Sequence, residues 1–399
     1  MARQELVAAQ IPSSALGPSL PLVPDGHKFR LEFRDWLAEN TPRSLSAMTE
    51  AEDFAFRVKW QKALHEGGWA GPAWPVRYGG RGSGALEQFM YYEELALAQA
   101  PRVTNESGIL LLGPTLMVYG TEEQKRRYLP GILSGDDIWC QGFSEPEAGS
   151  DLASLRTSAR ETSEGWIIKG QKIWTTWAAY SKWSFVLCRT ESAPRHKGLS
   201  MLIVDMDQPG IQVRPIKQMS GKADFCEVFF DDARAPRDLI VGGRGQGWQV
   251  AMTMLQFERA DQGYTDHAPL LVSLHLLREA LDADGAALGA MLLPRGMARL
   301  RFADLWRRCQ QLRRYNLRNA INAQRGRQVG VAASTVNIFW SQLVKDLAEF
   351  AALVHADDAV IDSTPLSEGL LYSRASSIYS GTDEIQLNII ADRILGLPR

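Results

Sequence analysis

The sequence has no CxxC pair: its four cysteines, Cys140, Cys188, Cys226 and Cys309, lie far apart. That spacing argues against a zinc knuckle or a redox dithiol, and scattered reduced thiols fit the cytoplasm. Six histidines are present without HExxH or comparable ligand spacing, which argues against a metal site. No apolar run is long enough to cross a bilayer. The opening MARQELVAAQIPSSALG lacks the core of a signal peptide, so a cytoplasmic protein is expected. The formal net charge is only -2, which gives no global pull toward nucleic acid or an acidic membrane. Internal repeats and long low-complexity linkers are also lacking. What remains is a chain of 399 residues with 45% hydrophobic content, too long for one ordinary core. Two or three domains packed together are expected.

Periodicity divides the chain into three. Residues 1–135 read as helices. FRLEFRDWLAEN sets Phe29, Leu31, Phe33, Trp36 and Leu37 largely on one side of a helical wheel, and Thr121-Glu122-Glu123 is a capped helix start. Residues 136–245 switch to short runs rich in β-branched and aromatic residues. TSARE and WIIKGQKIWTTWA read as strand, turn, strand; SKWSFVLCRT, GLSMLIVDM, IQVRPIKQM and FCEVFFDDARAP follow. A compact β-barrel or sandwich is expected there. Residues 246–399 return to helix, beginning with GWQVAMTMLQFERA. The preceding VGGRGQG does not follow a strand into a βα unit, so it is a helix-start loop rather than a dinucleotide fingerprint. The last helix, DEIQLNIIADRILG, should turn Ile385, Ile389 and Ile390 inward. Helices, a β module and helices again make an α+β fold.

Three segments carry chemistry. FSEPEAGSD is a turn-prone loop whose backbone amides could cradle a polar or anionic ligand. It runs Ser144-Glu145-Pro146-Glu147-Ala148-Gly149-Ser150-Asp151. The second segment is Gly170-Gln171-Lys172-Ile173-Trp174-Thr175-Thr176, and the third is the terminal GTDEIQLNIIADRILGLPR. Their order and spacing closely resemble the acyl-CoA dehydrogenase family, whose patterns are [ST]-E-P-x-A-G-S-D and G-x-K-x-W-[IT]-[ST]. The resemblance covers essentially the whole chain. It implies an N-terminal helical domain, a central β-barrel and a C-terminal four-helix bundle, with FAD held between barrel and bundle. By the same resemblance Gln141, Phe143 and Ser144 contact the flavin's pyrimidine edge. Trp174 packs near the ring, Thr175 belongs to the same cofactor-binding strand, and Thr176 reaches toward N5. Thr382 and Glu384 lie near the ribose and diphosphate, and Ser150 meets the CoA part of the substrate.

The reaction this implies removes an α-proton and a β-hydride from an acyl-CoA, so it needs a placed base. Most of the family carries that base as glutamate in Y-E-G-T near the end of the chain. Here the pattern is Tyr379-Ser380-Gly381-Thr382. A serine hydroxyl is too weak a base without an activating partner, so Ser380 is left offering its backbone N–H to the thioester oxygen. A minority of the family places the base on an earlier helix, followed by arginine, and Glu258-Arg259 reproduces that pair. Glu258 is therefore the expected base, with Arg259 and Ser380 beside the substrate. A structural ion pair between Glu258 and Arg259 is the plainer alternative.

Two departures stand out. The family's R-x-x-F-G motif and G-G-x-G loop, which complete a neighbouring subunit's FAD site, are not recognisable in DADGAALGAMLLPRGMARLRF or FAALVHADDAVIDSTPLSEG. Some bacterial relatives pair unlike subunits and act on bulky CoA esters such as steroid side chains; the chain resembles the catalytic half of such a heterotetramer. A paralogous subunit and an electron-transferring flavoprotein are the implied partners. Arginines 307, 308, 313, 314 and 318 read as a solvated face or subunit interface, with only Asp304 offsetting them locally. Three other readings stay open: a non-catalytic partner subunit, a flavin-dependent hydroxylase, and a DNA-binding relative of the same fold.

Overall fold

The computed structural model describes residues 11–42, 48–193, 195–282, 294–327, 330–359 and 364–398. Phe29, Phe33 and Leu37 recur four residues apart and line the buried face of α1 (Lys28–Asn40). Leu31, expected on that face, is exposed, and Arg30 takes an inward place. Two residues beyond Phe29 a helix has turned about 200°, which carries Leu31 to the far side. Four more helices follow: α2 (Glu50–Glu66), α3 (Ala85–Leu97), α4 (Gly113–Tyr119) and α5 (Glu122–Ser134). Thr121 caps α5 as the sequence predicts, its hydroxyl accepting the Gln124 N–H at 3.1 Å while Gln124 reaches back to the Thr121 N–H. Trp60, Trp69, Phe89 and Tyr128 fill the space between these helices. Each such side chain contributes about 1.5–3 kcal/mol by leaving water.

Eight strands come next: β1 (Trp139–Gly142), β2 (Ser158–Thr162), β3 (Gly165–Thr176), β4 (Trp183–Arg189), β5 (Leu199–Asp205), β6 (Ile211–Ile216), β7 (Phe225–Ala235) and β8 (Ile240–Val241). They form one mixed sheet in the order β6-β7-β3-β2-β4-β5-β8, with β1 parallel to β4. β5 and β7 touch although three strands separate them, so the sheet curls around its own core. Val186, Cys188, Leu202 and Val204 face that inner core, while Phe185, Leu187, Met201 and Ile203 face the helices. Burial on both sides explains why β4 and β5 read as continuous apolar runs rather than alternating ones.

The chain closes with α6 (Gly247–Thr265), α7 (His267–Asp282), α8 (Arg295–Gln324), α9 (Ala332–Val354), α10 (Ala356–Ala359), α11 (Pro365–Tyr372) and α12 (Asp383–Arg393). Leu271, Leu274, Leu305, Leu312, Leu343 and Phe350 form the core shared by α7, α8 and α9. Helix α6 lies between this bundle and the sheet, packing on α3, α8, α9 and β5. Gly247 permits that approach, because a Cβ there would sit 2.5 Å from the Ser200 backbone. In α12 the expected inner face is only partly realised. Ile385, Ile389 and Ile390 are half-buried, whereas Gln386 is buried. Its amide is used to brace the preceding turn, as described below.

On the arginine-rich helix α8, Arg314 and Arg318 are exposed, whereas the other three arginines singled out are ion-paired. Arg313 is buried, with Nε 2.7 Å from Glu93. Arg308 pairs with Asp346 at 2.6 Å and Arg307 with Asp304 at 2.6 Å. Glu93 also accepts from Arg30 at 2.5 Å and lies 3.2 Å from His267 Nε2, so one buried carboxylate joins α1, α3, α7 and α8. The partners of Arg308 and Arg313 are remote in sequence, so the local charge count misses them. Among the described residues no helix is long and apolar enough to cross a membrane. No cluster of histidine, cysteine, aspartate and glutamate able to hold a metal is found among them either. All four cysteines are buried and free.

Candidate active site

The first part of the site is a rim of the sheet. Lys172, fully buried, donates from Nζ to the Phe143 carbonyl and to Glu145 Oε1, both at 2.9 Å. Glu145 also accepts the N–H groups of Arg156 at 2.7 Å and Thr157 at 2.8 Å. Burial, the largest influence, pushes the Glu145 carboxyl up. Lys172 and these donors outweigh it and hold the group below its ordinary range. The Ile173 N–H donates to the Ser144 carbonyl at 2.9 Å. These bonds hold the strip Gln141-Phe143-Ser144 alongside residues 172–176. Glu145 and Lys172 are thus what the two motifs share physically. Sequence reading quoted both residues without finding their partnership, although each sits at a fixed place in its pattern.

Between Lys172 and Thr175 the β3–β7 register shifts, and Trp174 adopts φ 59°. A left-handed backbone is an outlier for a bulky residue. The irregularity swings the indole out of the strand, leaving it 56% exposed and edge-on to Phe225 at 6.3 Å. Thr175 instead points inward and is buried, with no partner for Oγ1; Thr176 is half-buried. Ser150 lies exposed at the end of the 144–151 loop.

The second part is built from α6 and the turn before α12. Ser380 and Gly381 are consecutive left-handed residues, with φ 55° and 95°. The buried Gln386 amide donates to both of their carbonyls, at 3.2 and 3.3 Å. Thr382 caps α12, its hydroxyl accepting the Ile385 N–H at 3.2 Å, and Glu384 is exposed in the first turn. Asp383 is anchored to α9 by Ser341 Oγ at 2.9 Å and Gln342 Nε2 at 3.2 Å. The turn is therefore fixed by its backbone and flanks, not by the Ser380 side chain.

Glu258 reaches this turn from α6. Its carboxylate comes close enough to the Ser380 side chain for that hydroxyl to lower its pKa. Burial raises the Glu258 pKa, and the Ser380 side chain and the Arg259 charge only partly oppose that rise. Arg259 is shifted down by burial despite Glu258, with Arg393 of α12 adding a like charge. The structure thus gathers Glu258, Arg259 and Ser380 in one cluster and residues 141–144 and 172–176 in another. Thr382 and Glu384 stand at the start of α12. Parts of both segments where family motifs are unrecognisable, residues 283–293 and 360–363, lie outside the described residues. A carboxylate whose pKa is raised by burial is equipped to take a proton from carbon.

Three family models match the chain in succession. The acyl-CoA dehydrogenase N-terminal domain matches residues 24–136, the middle domain 140–233 and the C-terminal domain 245–395. Acyl-CoA dehydrogenase IpdE1 of Mycobacterium tuberculosis is 40% identical over 389 residues, spanning 94% of this chain and 98% of its own. Acyl-CoA dehydrogenase FadE34 of the same organism is 36% identical over 350 residues, 86% of this chain and 46% of its own. Among solved structures, the ChsE4-ChsE5 complex from Mycobacterium tuberculosis has a TM-score of 0.81 at 29% identity, covering 96% of this chain and 99% of that one. The Tcur3481-Tcur3483 steroid ACAD has a TM-score of 0.79 at 27% identity, covering 93% and 97%. Fold, motifs and full-length matches agree: the chain belongs to the acyl-CoA dehydrogenase family of oxidoreductases.

Proposed function

We propose that Glu258 is the base of an FAD-dependent acyl-CoA dehydrogenase that converts an acyl-CoA thioester to the trans-2-enoyl-CoA. The observation that carries this reading is the approach of Glu258 to Ser380, with burial raising the Glu258 pKa. It joins the two backbone positions from which the family can deliver its carboxylate, and only one of them bears an acid here. The carboxylate takes the α-proton, its raised pKa matching the task. The Ser380 N–H donates to the thioester oxygen, where charge develops as the proton leaves. Arg259 stands beside the substrate and keeps the base ionisable.

The rim residues fit a flavin: an indole displaced from its strand offers an open ring face beside a fixed strip of backbone. Gln141, Phe143, Ser144, Trp174, Thr175 and Thr176 would hold the ring, and Thr382 and Glu384 the ribose and diphosphate. Bound FAD supplies the acceptor for the β-hydride. Ser150, exposed on its loop, would meet the CoA moiety. The reading divides the chain into domains at 1–135, 136–245 and 246–399, in a cytoplasmic enzyme.

The partner is a paralogous subunit in a heterotetramer, and electrons leave to an electron-transferring flavoprotein. Support comes from the ChsE4-ChsE5 complex and the Tcur3481-Tcur3483 steroid ACAD, two structures of paired names. A steroid-derived or similarly bulky CoA ester is the substrate class that the second of those names favours. Co-expression with a genomic neighbour of the same family tests the assembly; stoichiometric FAD and turnover by the lone chain would refute it. Glu258→Gln in the assembled enzyme tests the base. Loss of turnover with flavin absorbance intact is expected. Full activity would instead mark this chain as the non-catalytic subunit.

A further inference from the structure

The turn before α12 presents successive backbone donors that no carbonyl meets. The chain enters it with the Ile378 and Tyr379 N–H groups donating to the Ala375 carbonyl, at 2.8 and 3.2 Å. It leaves with the Ile385 N–H on Thr382 Oγ1 at 3.2 Å. Between these, among the described residues, no backbone carbonyl accepts the N–H of Ser380, Gly381 or Thr382. Successive open N–H groups in a turn suit negative charge. Gln386 governs how they are presented, because its Nε2 holds the Ser380 and Gly381 carbonyls at 3.2 and 3.3 Å. Each gripped carbonyl shares a peptide unit with the next residue's N–H. Donation to it therefore also strengthens the Gly381 and Thr382 N–H groups as donors.

Gln386 is 2% exposed, and its Oε1 has no partner. An unmet buried acceptor is destabilising, and an apolar side chain of similar size would avoid it. The use of this amide therefore lies in its Nε2. The fit is close: a Cβ added at Gly381 would lie 2.7 Å from Nε2, so a side chain there would push the amide off the turn. Ser380 holds φ 55°, a left-handed conformation that a residue with a Cβ adopts only under constraint. The grip on its carbonyl supplies that constraint. Released, Ser380 would change φ and swing its N–H relative to the helix that carries Glu258. The dehydrogenase reading sets the thioester oxygen at that N–H. As Glu258 takes the α-proton, the C–H bond breaks and its electron pair spreads onto that oxygen. The donor's direction thus matters most in the transition state.

We infer that Gln386 is a positioning residue for proton abstraction, aiming the Ser380 N–H at the thioester oxygen. This deepens the dehydrogenase reading and rests on it. The test compares the FAD-loaded assembly with its Gln386→Met variant. Turnover is measured on the acyl-CoA ester that the parent oxidises fastest, and proton transfer on the same ester with sulfur in place of the β-carbon. That analogue has no β-hydride to lose, so exchange of its α-protons with D2O, read by NMR, reports abstraction alone. Gln386→Met should slow exchange and kcat alike, by about 10- to 100-fold, with KM nearly unchanged and FAD retained. A residue that only held the fold would raise KM or lose FAD instead. Gly381→Ala, whose methyl displaces the amide, should give the same pattern. Parent-like exchange in either FAD-loaded variant would overturn the inference, as would loss of folding or of FAD in both. Glu258→Gln is measured alongside. Exchange that persists there but falls in Gln386→Met refutes the base and leaves the positioning standing; the reverse refutes the positioning alone.

Discussion

The Glu258 carboxylate stands near enough to Ser380 to have its pKa lowered by it, although 122 positions separate the two residues along the chain. A helix in the bundle and a tight turn near the end of the chain thus meet at one point. If that point is where the α-carbon sits, an acid supplied from either side should serve. Glu258→Gln should lower turnover by about 10²–10⁴, the usual contribution of a positioned base. The double variant Glu258→Gln with Ser380→Glu should recover part of it, measured as flavin bleaching under anaerobic conditions. No recovery in a double variant that still binds FAD would separate the two positions functionally.

The pH profile carries a second prediction. The base must be ionised, so kcat/KM should climb as pH rises through the Glu258 pKa, which lies above the ordinary 4.5. The nearby Ser380 side chain lowers that pKa. Ser380→Ala should therefore move the rising limb to higher pH. A limb that stays put or moves down would contradict that influence. For folding the sign is opposite. A carboxyl whose pKa is raised in the folded state contributes its stability fully below 4.5 and loses it as pH climbs through the folded value.

Breaking the Glu145–Lys172 pair should be costly. Removing one partner leaves the other charge buried, typically a loss of about 3–5 kcal/mol. Lys172→Met should lower the denaturation midpoint accordingly and loosen the strip at Phe143 and Ser144. Weaker FAD retention on gel filtration is the second readout. A variant as stable as the parent would show that the backbone donors to Glu145 suffice alone.

Glu93 offers a test remote from the cleft. Burial alone would raise its pKa, but His267, Arg313 and Arg30 bring it down to about 2. Its contribution is fully present above 4.5 and should be lost as pH falls from there through about 2. Glu93→Gln should flatten the acid limb of the stability curve and separate α1 and α3 from α7 and α8. Chemical denaturation across acidic pH checks this.

Much of the architecture was legible because its signals are local. The cap at Thr121, the strand pair around TSEG and the two apolar strands each follow from a few neighbouring residues. What escaped was long-range. The inward turn of Arg30 and Arg313 depends on Glu93, which lies 63 and 220 positions away. Ile385, Ile389 and Ile390 read as core, yet α12 buries Gln386 because that amide is needed by the turn. The site was half legible. The motif residues were visible in order, but the reason Glu145 and Lys172 belong together is a buried bond between a loop and a strand.

Gln386 grips the turn by its carbonyl oxygens and ignores what residue 380 projects. The hairpin is thus a socket whose shape is independent of the plug. A lineage could swap the occupant of that socket between an acid and a hydroxyl without refolding anything, provided a neighbouring helix already held a substitute. The catalytic group in such a scaffold is portable, and inheritance of the fold need not mean inheritance of the residue that does the work.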